Sequence, residues 1–166
     1  VAIAACGPFP GEALVVLDLC GEARTDPGDY SRYNAASAAQ AVTLAREAAA
    51  QGHSVAVIAP YRKQVQRIQQ LLGDDPRIDC ATVHRFQGHE RDVVILDITD
   101  APPLEPGVLL AGPAGSSSAN LLNVSLSRAR GKLIVIAPVD YVRKRAAGSV
   151  LAEVLEWALA RGVRRT

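Results

Sequence analysis

Short apolar runs alternate with amphipathic segments along most of the chain. Five runs are continuous enough, and rich enough in β-branched residues, to predict buried strands, and they cover residues 13–19, 54–59, 78–83, 93–98 and 133–137. Four segments have the signals of helices, and they cover residues 35–51, 61–72, 120–130 and 150–158. Asn34 is the predicted N-cap of the first helix, and Gly52 and Gly73 end the first two.

This alternation predicts an α/β fold. Strands that are apolar on both faces and are separated by helices form a doubly wound parallel sheet, with helices on both faces and right-handed crossovers. Ligands of such sheets bind at the carboxyl ends of the strands, so we expect the chemistry of this chain at that edge. Residues 101–118 hold four Pro, three Gly and three Ser, which indicates a long surface loop inserted into the pattern.

Length and composition limit the classes of protein that remain. The chain has 166 residues with 49% hydrophobic content, enough for one domain, residues 1–166, with a sizeable core. Its net charge of +1 indicates that any contact with nucleic acid is local. No run reaches the roughly 18 apolar residues of a membrane span, so we predict no membrane contact and a cytoplasmic location. The three Cys show no paired spacing and predict no metal site. The chain lacks Met, so we expect it to be a piece of a larger protein.

Three polar motifs follow predicted strands or helices. Residues 55–64 read VAVIAPYRKQ. Pro60 is expected to begin a helix whose free amides bind a phosphate. Tyr61, Arg62 and Gln64 are then placed for contact with a nucleotide or a nucleic-acid backbone. Residues 82–92 read TVHRFQGHERD, where Gly88 allows a turn that directs Gln87 and Glu90 toward a polyphosphate and a ribose. A polar start is also ordinary for a helix, and His84 taken alone is more typical of a loop histidine bonded to a neighbour.

The third motif carries two arginines. Residues 122–132 read LNVSLSRARGK, and Arg128, followed by Arg130, is expected in the helix that begins near Asn120. A guanidinium can bridge two γ-phosphate oxygens in a way that Lys cannot copy, although a surface Arg paired with a carboxylate has the same spacing. The chain contains no GxxxxGK[ST] sequence, so alone it should not hydrolyse ATP.

Together, and in this order, the three segments resemble motifs IV, V and VI of superfamily 1 helicases. The FQG and LNV-L-RAR forms resemble the branch that contains the nonsense-mediated-decay RNA helicases and the replication helicase-nucleases. The resemblance implies a RecA-like P-loop NTPase fold and the C-terminal motor domain of an ATP-dependent helicase. ATP and Mg²⁺ would then be bound mainly by an N-terminal RecA-like domain of the same parent chain, and single-stranded DNA or RNA would cross both domains.

The same resemblance assigns roles to individual residues. Arg128 corresponds to the arginine finger, and Gln87 to a residue that orients the attacking water or senses the γ-phosphate. The remaining nucleotide-binding positions are Glu90, Gly88, Tyr61, Arg62, Gln64 and Arg130. The positions that correspond to nucleic-acid contacts are Thr82, His84 and Pro60.

Three other functions can be weighed against this one. A scaffold or regulatory module that keeps the fold without motor activity remains open, and its support is the unusual sequence before residue 122. A dinucleotide-binding enzyme would need GxGxxG after its first strand, which the chain lacks. A superfamily 2 helicase would carry a QxxGRxGR-like run, which is also absent.

Overall fold

Eight strands and six helices are present in the described part of the computed structural model, which covers residues 2–86, 89–108, 110–113 and 117–166, without the side chains of residues 2, 117, 118 and 121. The strands are β1 (Leu14–Asp18), β2 (Ala23–Thr25), β3 (Arg32–Asn34), β4 (Val55–Ala59), β5 (Ile78–Thr82), β6 (Arg91–Asp97), β7 (Ala129–Ala137) and β8 (Val163–Arg165). The helices are α1 (Ala2–Ala5), α2 (Ala35–Ala50), α3 (Arg62–Leu72), α4 (Ser117–Leu126), α5 (Val139–Arg145) and α6 (Val150–Arg161).

Six of the strands form one sheet in the order β5-β4-β6-β7-β1-β8, and every pairing within it is parallel. The other two, β2 and β3, form a small antiparallel hairpin after β1. The prediction of an α/β fold with a parallel sheet is confirmed. No helix of the described residues has the length and apolar character needed to cross a bilayer.

Alternate residues of the central strands point into two separate cores, one on each face of the sheet. In β6, for example, Val93 and Ile95 face α2 and α3, whereas Val94 and Leu96 face α4, α5 and α6. The strands are buried on both sides, and this burial explains why their sequences are continuous apolar runs. Helices therefore cover both faces, as predicted.

Three element boundaries differ from the predictions in ways that matter for the site. The helix expected over residues 120–130 is α4, which begins earlier and ends at Leu126, and β7 begins at Ala129. The predicted loop 101–118 therefore ends where α4 begins. The helix expected to begin at Pro60 begins at Arg62, with Tyr61 as its N-cap. Helix α5 and strand β8 were not predicted because each is too short to show a periodic pattern.

Buried polar groups fix the crossovers at the carboxyl edge of the sheet. Asn34 caps α2, as predicted, by accepting a hydrogen bond from the Ser37 amide at 3.2 Å. Asp18, at the end of β1, accepts a hydrogen bond from the Val139 amide at the start of α5. Buried Asp100 pairs with Arg32 of the hairpin at 2.9 Å. These contacts hold the hairpin and the loop after β6 against the ends of the strands.

Candidate functional site

The predicted site residues lie at two opposite edges of the sheet. Pro60 and Thr82 are at the carboxyl ends of β4 and β5, whereas Glu90 and Arg128 immediately precede β6 and β7. Because the strands are parallel, residues that precede a strand lie at the amino edge. The expectation that all of the chemistry lies at the carboxyl edge is therefore wrong for Glu90 and Arg128. The two edges are about 20 Å apart, at about 3.3 Å per residue along a strand.

Glu90, Arg128 and Arg130 are neighbours at the amino edge. The Arg91 amide donates a hydrogen bond to the Arg128 carbonyl oxygen at 3.0 Å, which joins the start of β6 to the turn before β7. Arg130 Nε lies 3.3 Å from Glu90 Oε2, and both side chains are more than half exposed. Predicted nucleotide-binding residues from two separate motifs are thus brought together by the pairing of β6 with β7.

Asp92 is a second carboxylate near Arg130 at this edge. Ser54, just before β4, donates its amide to Asp92 Oδ2 at 2.9 Å, and the Asp92 amide donates to Ser54 Oγ at 3.1 Å. The hydrogen bond from the Ser54 amide lowers the pKa of the Asp92 carboxyl, which favours its charged form. Arg130 Nη1 lies 4.0 Å from the same carboxylate. Arg130 is therefore held between two carboxylates.

Arg128 differs from its neighbours in having no carboxylate partner. It lies in the turn between α4 and β7 and not within a helix, which corrects the prediction. Its Nε atom is buried and has no hydrogen-bond partner among the described residues, and no described acidic residue forms an ion pair with it. The side chain is only partly buried. A guanidinium in this state is available to an anion that approaches from outside the domain.

Lys132 was not predicted as part of this region. It is 1% exposed, and its ammonium donates hydrogen bonds to the carbonyl oxygens of Cys6, Pro8 and Phe9. Burial lowers the pKa of this ammonium. The lysine thereby fastens residues 6–9 along the amino edge beside Arg130. Lys132 directly precedes the apolar run 133–137, and this position in the sequence indicates that the lysine is buried.

The carboxyl edge holds a second group of the predicted residues. Thr82 is the last residue of β5 and accepts a hydrogen bond from the Phe86 amide at 3.2 Å through its carbonyl oxygen. His84 is exposed in the 3₁₀ turn Val83–Arg85 that follows. Arg62 is exposed in the first turn of α3 and forms no ion pair with any described residue. Thr82, His84 and Arg62 thus lie at one edge, as predicted.

Two residues predicted to contact a ligand lie in the interior. Gln64 is fully buried, and its Oε1 accepts a hydrogen bond from the Asn34 amide, whereas its Nε2 donates to Asn34, Ser37 and Asp97. The prediction that Gln64 contacts a ligand is wrong because all of its polar atoms are already bonded. Tyr61 is 6% exposed, and the backbone of Gly107 covers its hydroxyl, so direct nucleotide contact is wrong for this residue as well. Pro60 is also buried, although it lies in the wall of a surface cavity.

Asp97 is the centre of the network that contains Gln64. Its carboxylate is fully buried at the carboxyl end of β6 and accepts hydrogen bonds from Gln64 Nε2 at 2.6 Å, Ser37 Oγ at 3.1 Å and the Thr99 amide at 2.9 Å. Burial raises the pKa of Asp97 to about 6, and these hydrogen bonds oppose the shift. Gln64 and Ser37 thus have a structural role, joining α2 and α3 to β6.

The predictions for Gln87 and Gly88 concern residues that lie outside the described part of the chain. The residues on either side of them are described. Thr82 and Glu90, which stand on either side of them, lie at opposite edges of the sheet.

Comparisons with known proteins find a family and several helicase relatives. The AAA domain family AAA_12 matches residues 7–140. A "probable helicase" of Dictyostelium discoideum is 32% identical over 78% of this chain and 13% of its own length. The DNA polymerase alpha-associated DNA helicase A of Saccharomyces cerevisiae is 32% identical over 63% of this chain and 15% of its own. The solved C-terminal domain of a possible DNA helicase from Lactobacillus matches 75% of this chain and 72% of its own length, with a TM-score of 0.47 and 15% identity. The chain thus spans only a small part of the curated relatives that it matches.

Proposed function

The chain belongs to the AAA_12 family of AAA domains and is a domain of the superfamily 1 helicase type, and on that premise we propose that it is the C-terminal motor domain of an ATP-dependent DNA or RNA helicase. The amino edge of its sheet contacts the nucleotide, and the carboxyl edge contacts single-stranded nucleic acid. The observation that carries the proposal is the separation of the motif residues onto two edges, with Glu90 and Arg128 together at one and Thr82, His84 and Arg62 at the other.

At the amino edge, Arg128 acts as an arginine finger. ATP and Mg²⁺ are held mainly by the N-terminal RecA-like domain of the parent chain, since this chain has no GxxxxGK[ST] sequence for the phosphates. The guanidinium of Arg128 has no carboxylate partner in the described chain. Its positive charge offsets the negative charge on the phosphoryl group during transfer. Such a finger increases turnover by about a thousandfold or more.

Glu90 and Arg130 assist at the same edge. The exposed carboxylate of Glu90 accepts hydrogen bonds from the ribose hydroxyls, and its ion pair with Arg130 keeps it oriented before the nucleotide arrives. Asp92 and Ser54 fix the strand ends that carry both residues. The nucleotide therefore meets side chains from β6, β7 and the turns before them.

At the carboxyl edge, the contacts are those of a backbone-binding surface. Thr82 and His84 are placed to hydrogen-bond phosphates, and the exposed cation of Arg62 lies at the N-terminus of α3, where helix amides favour anions. These groups contact phosphate and sugar and not the bases, so the surface can bind either DNA or RNA.

The two edges are coupled through the motif that contains both Thr82 and Glu90. Thr82 lies at the nucleic-acid edge and Glu90 at the nucleotide edge. ATP favours the closed arrangement of the two motor domains, and its hydrolysis releases that arrangement. The bound strand is gripped and released in step with this cycle.

The test is substitution of Arg128 in the intact protein that contains this domain. Arg128→Ala is expected to leave the Kd for ATP within about threefold of wild type while nucleic-acid-stimulated turnover falls by about a thousandfold or more. Arg128→Lys should recover little, because an ammonium cannot bridge two oxygens. Arg143→Ala, which removes an exposed arginine of α5, is the matched control.

Two results would count against the proposal. Turnover that persists in Arg128→Ala would exclude the finger. Absence of nucleic-acid-stimulated ATPase activity in the wild-type protein would exclude the motor altogether and favour the scaffold alternative.

A further inference from the structure

Tyr30 presents an aromatic ring to solvent at the carboxyl edge. The side chain is 96% exposed in the turn between β2 and β3, and it makes no hydrogen bond or ring contact with any described residue. Across from it, Val108 is 88% exposed. Tyr30 and Val108 line the same surface cavity, and an aromatic ring exposed there is available to pack against another molecule.

The backbone that carries Tyr30 is held rigidly although its ring is free. Asp29 Oδ1 accepts a hydrogen bond from the Ser31 amide at 2.9 Å, and Ser31 Oγ accepts one from the Lys63 amide at 3.0 Å. The Lys63 ammonium pairs with both Asp26 and Asp29. The residue before Tyr30 and the residue after it are thus both fastened to the first turn of α3. The backbone of Tyr30 is thus ordered before a ligand arrives, which lowers the entropic cost of binding.

Tyr30 forms one wall of a surface cavity of about 470 Å³. The other walls come from the start of α3 and from the loop after β6, so three crossovers of the sheet meet here. The lining residues are Tyr30, Ser31, Arg32, Pro60, Tyr61, Arg62, Pro106, Gly107 and Val108. This volume is within the range of pockets that hold small ligands.

The charges around the cavity favour an anion. The nearby carboxylates are already paired, Asp26 and Asp29 with Lys63, and Asp100 with Arg32. Arg62 has no ion pair in the described chain, and its position in the first turn of α3 adds the helix amides to its charge. The cation of Arg62 is therefore left for a ligand, whereas the Lys63 amide of the same helical turn is already bonded to Ser31.

We propose that this cavity holds one nucleotide of the bound single strand, with its base stacked on the ring of Tyr30 and its phosphate against Arg62 and the first turn of α3. The inference rests on the proposed function, which makes the carboxyl edge the nucleic-acid face, and adds to it a contact with a base. Stacking on an aromatic ring is tolerant of sequence, since every base has a π face. The domain would then grip the strand at a base as well as at the backbone.

The test is fluorescence anisotropy of the intact protein with a labelled oligo(dT) strand. Tyr30→Ala is expected to weaken binding by at least about fivefold, whereas Tyr30→Phe, which keeps the ring, should bind as wild type does. On a strand of the same length with abasic sugars throughout, Tyr30→Ala and wild type should bind equally. Trp157→Ala, which removes another exposed aromatic ring on α6, is the control and should change neither affinity.

Each other result has a defined meaning. If Tyr30→Ala binds oligo(dT) as wild type does while Arg62→Ala binds it more weakly, the stacking contact is excluded and the proposed function stands. If Tyr30→Ala weakens binding equally on the abasic strand, the ring does not act through a base and the inference is wrong. If the wild-type protein fails to bind either strand, the proposed function and the inference fail together.

Discussion

The side chain of Gln64 donates a hydrogen bond from Nε2 to Oδ2 of Asp97 at 2.6 Å, in the buried layer between α3 and β6. The contact joins the first turn of α3, where Arg62 faces solvent, to the end of a central strand of the sheet. Through Ser37 the same carboxylate reaches the start of α2. The exposed and buried faces of α3 thus have different tasks, since Arg62 faces the cavity and Gln64 fixes the helix that carries it.

The first prediction is a pH dependence of stability that originates at Asp97. Its pKa of about 6 in the folded state exceeds the ordinary value of 3.8, so between these values the folded chain binds a proton that the unfolded chain has lost. Stability from this group is therefore greatest below about pH 4 and falls as pH rises through 6. The total change is about 3 kcal/mol.

Urea unfolding of wild type and Asp97→Asn between pH 4 and pH 8 measures this effect. The unfolding free energy of wild type minus that of Asp97→Asn should decrease as pH rises. Asp74→Asn, at an exposed carboxylate, is the control for the loss of one charge. A difference that is constant over this range would contradict the prediction.

The second prediction concerns the close approach of Gly107 to Tyr61. A Cβ atom at position 107 would overlap the Tyr61 hydroxyl, so Gly107→Ala is expected to lower the unfolding free energy by about 1–3 kcal/mol. Tyr61→Phe removes the oxygen, and the double variant should recover most of the loss. A double-mutant cycle from urea unfolding measures the coupling. An equal cost of Gly107→Ala in both backgrounds would contradict the proposed overlap.

The sheet could be predicted because its strands are buried on both faces and therefore read as continuous apolar runs. The structure at the end of the arginine motif could not be predicted in this way. Residues 127–130 have neither helical nor strand periodicity, so the pattern did not show where α4 stops and β7 starts. That boundary decides whether Arg128 lies in a helix or at the amino edge of the sheet.

The role of Gln64 was equally hidden from sequence reasoning. A polar residue near the start of an amphipathic helix normally faces water. Its burial depends on Asp97, which lies 33 residues away along the chain and meets it only when β4 and β6 pair. The contacts of Lys132 with residues 6–9 likewise join parts of the chain more than 120 residues apart.

The third prediction is that Lys132 anchors the segment before β1. Lys132→Met keeps the length of the side chain but leaves the carbonyl oxygens of Cys6, Pro8 and Phe9 without this donor. We expect a loss of about 3 kcal/mol in unfolding free energy, because buried acceptors without partners are costly. Residues 6–12 should also become sensitive to protease. Lys144→Met, at an exposed lysine, should have neither effect. A resistant segment in Lys132→Met would show that other contacts hold it.

The fourth prediction separates stability from nucleotide binding at Glu90. Its ion pair with Arg130 is more than half exposed, so Glu90→Gln should change the unfolding free energy by less than about 1 kcal/mol. In the intact protein the same change should raise the KM for ATP about tenfold, because the ribose hydroxyls lose a charged acceptor. With 2′,3′-dideoxy-ATP, which lacks those hydroxyls, variant and wild type should have equal KM values. Glu156→Gln, which breaks an exposed ion pair with Arg143, is the control. If Glu90→Gln and wild type differ as much with the dideoxy nucleotide as with ATP, Glu90 does not bind the ribose.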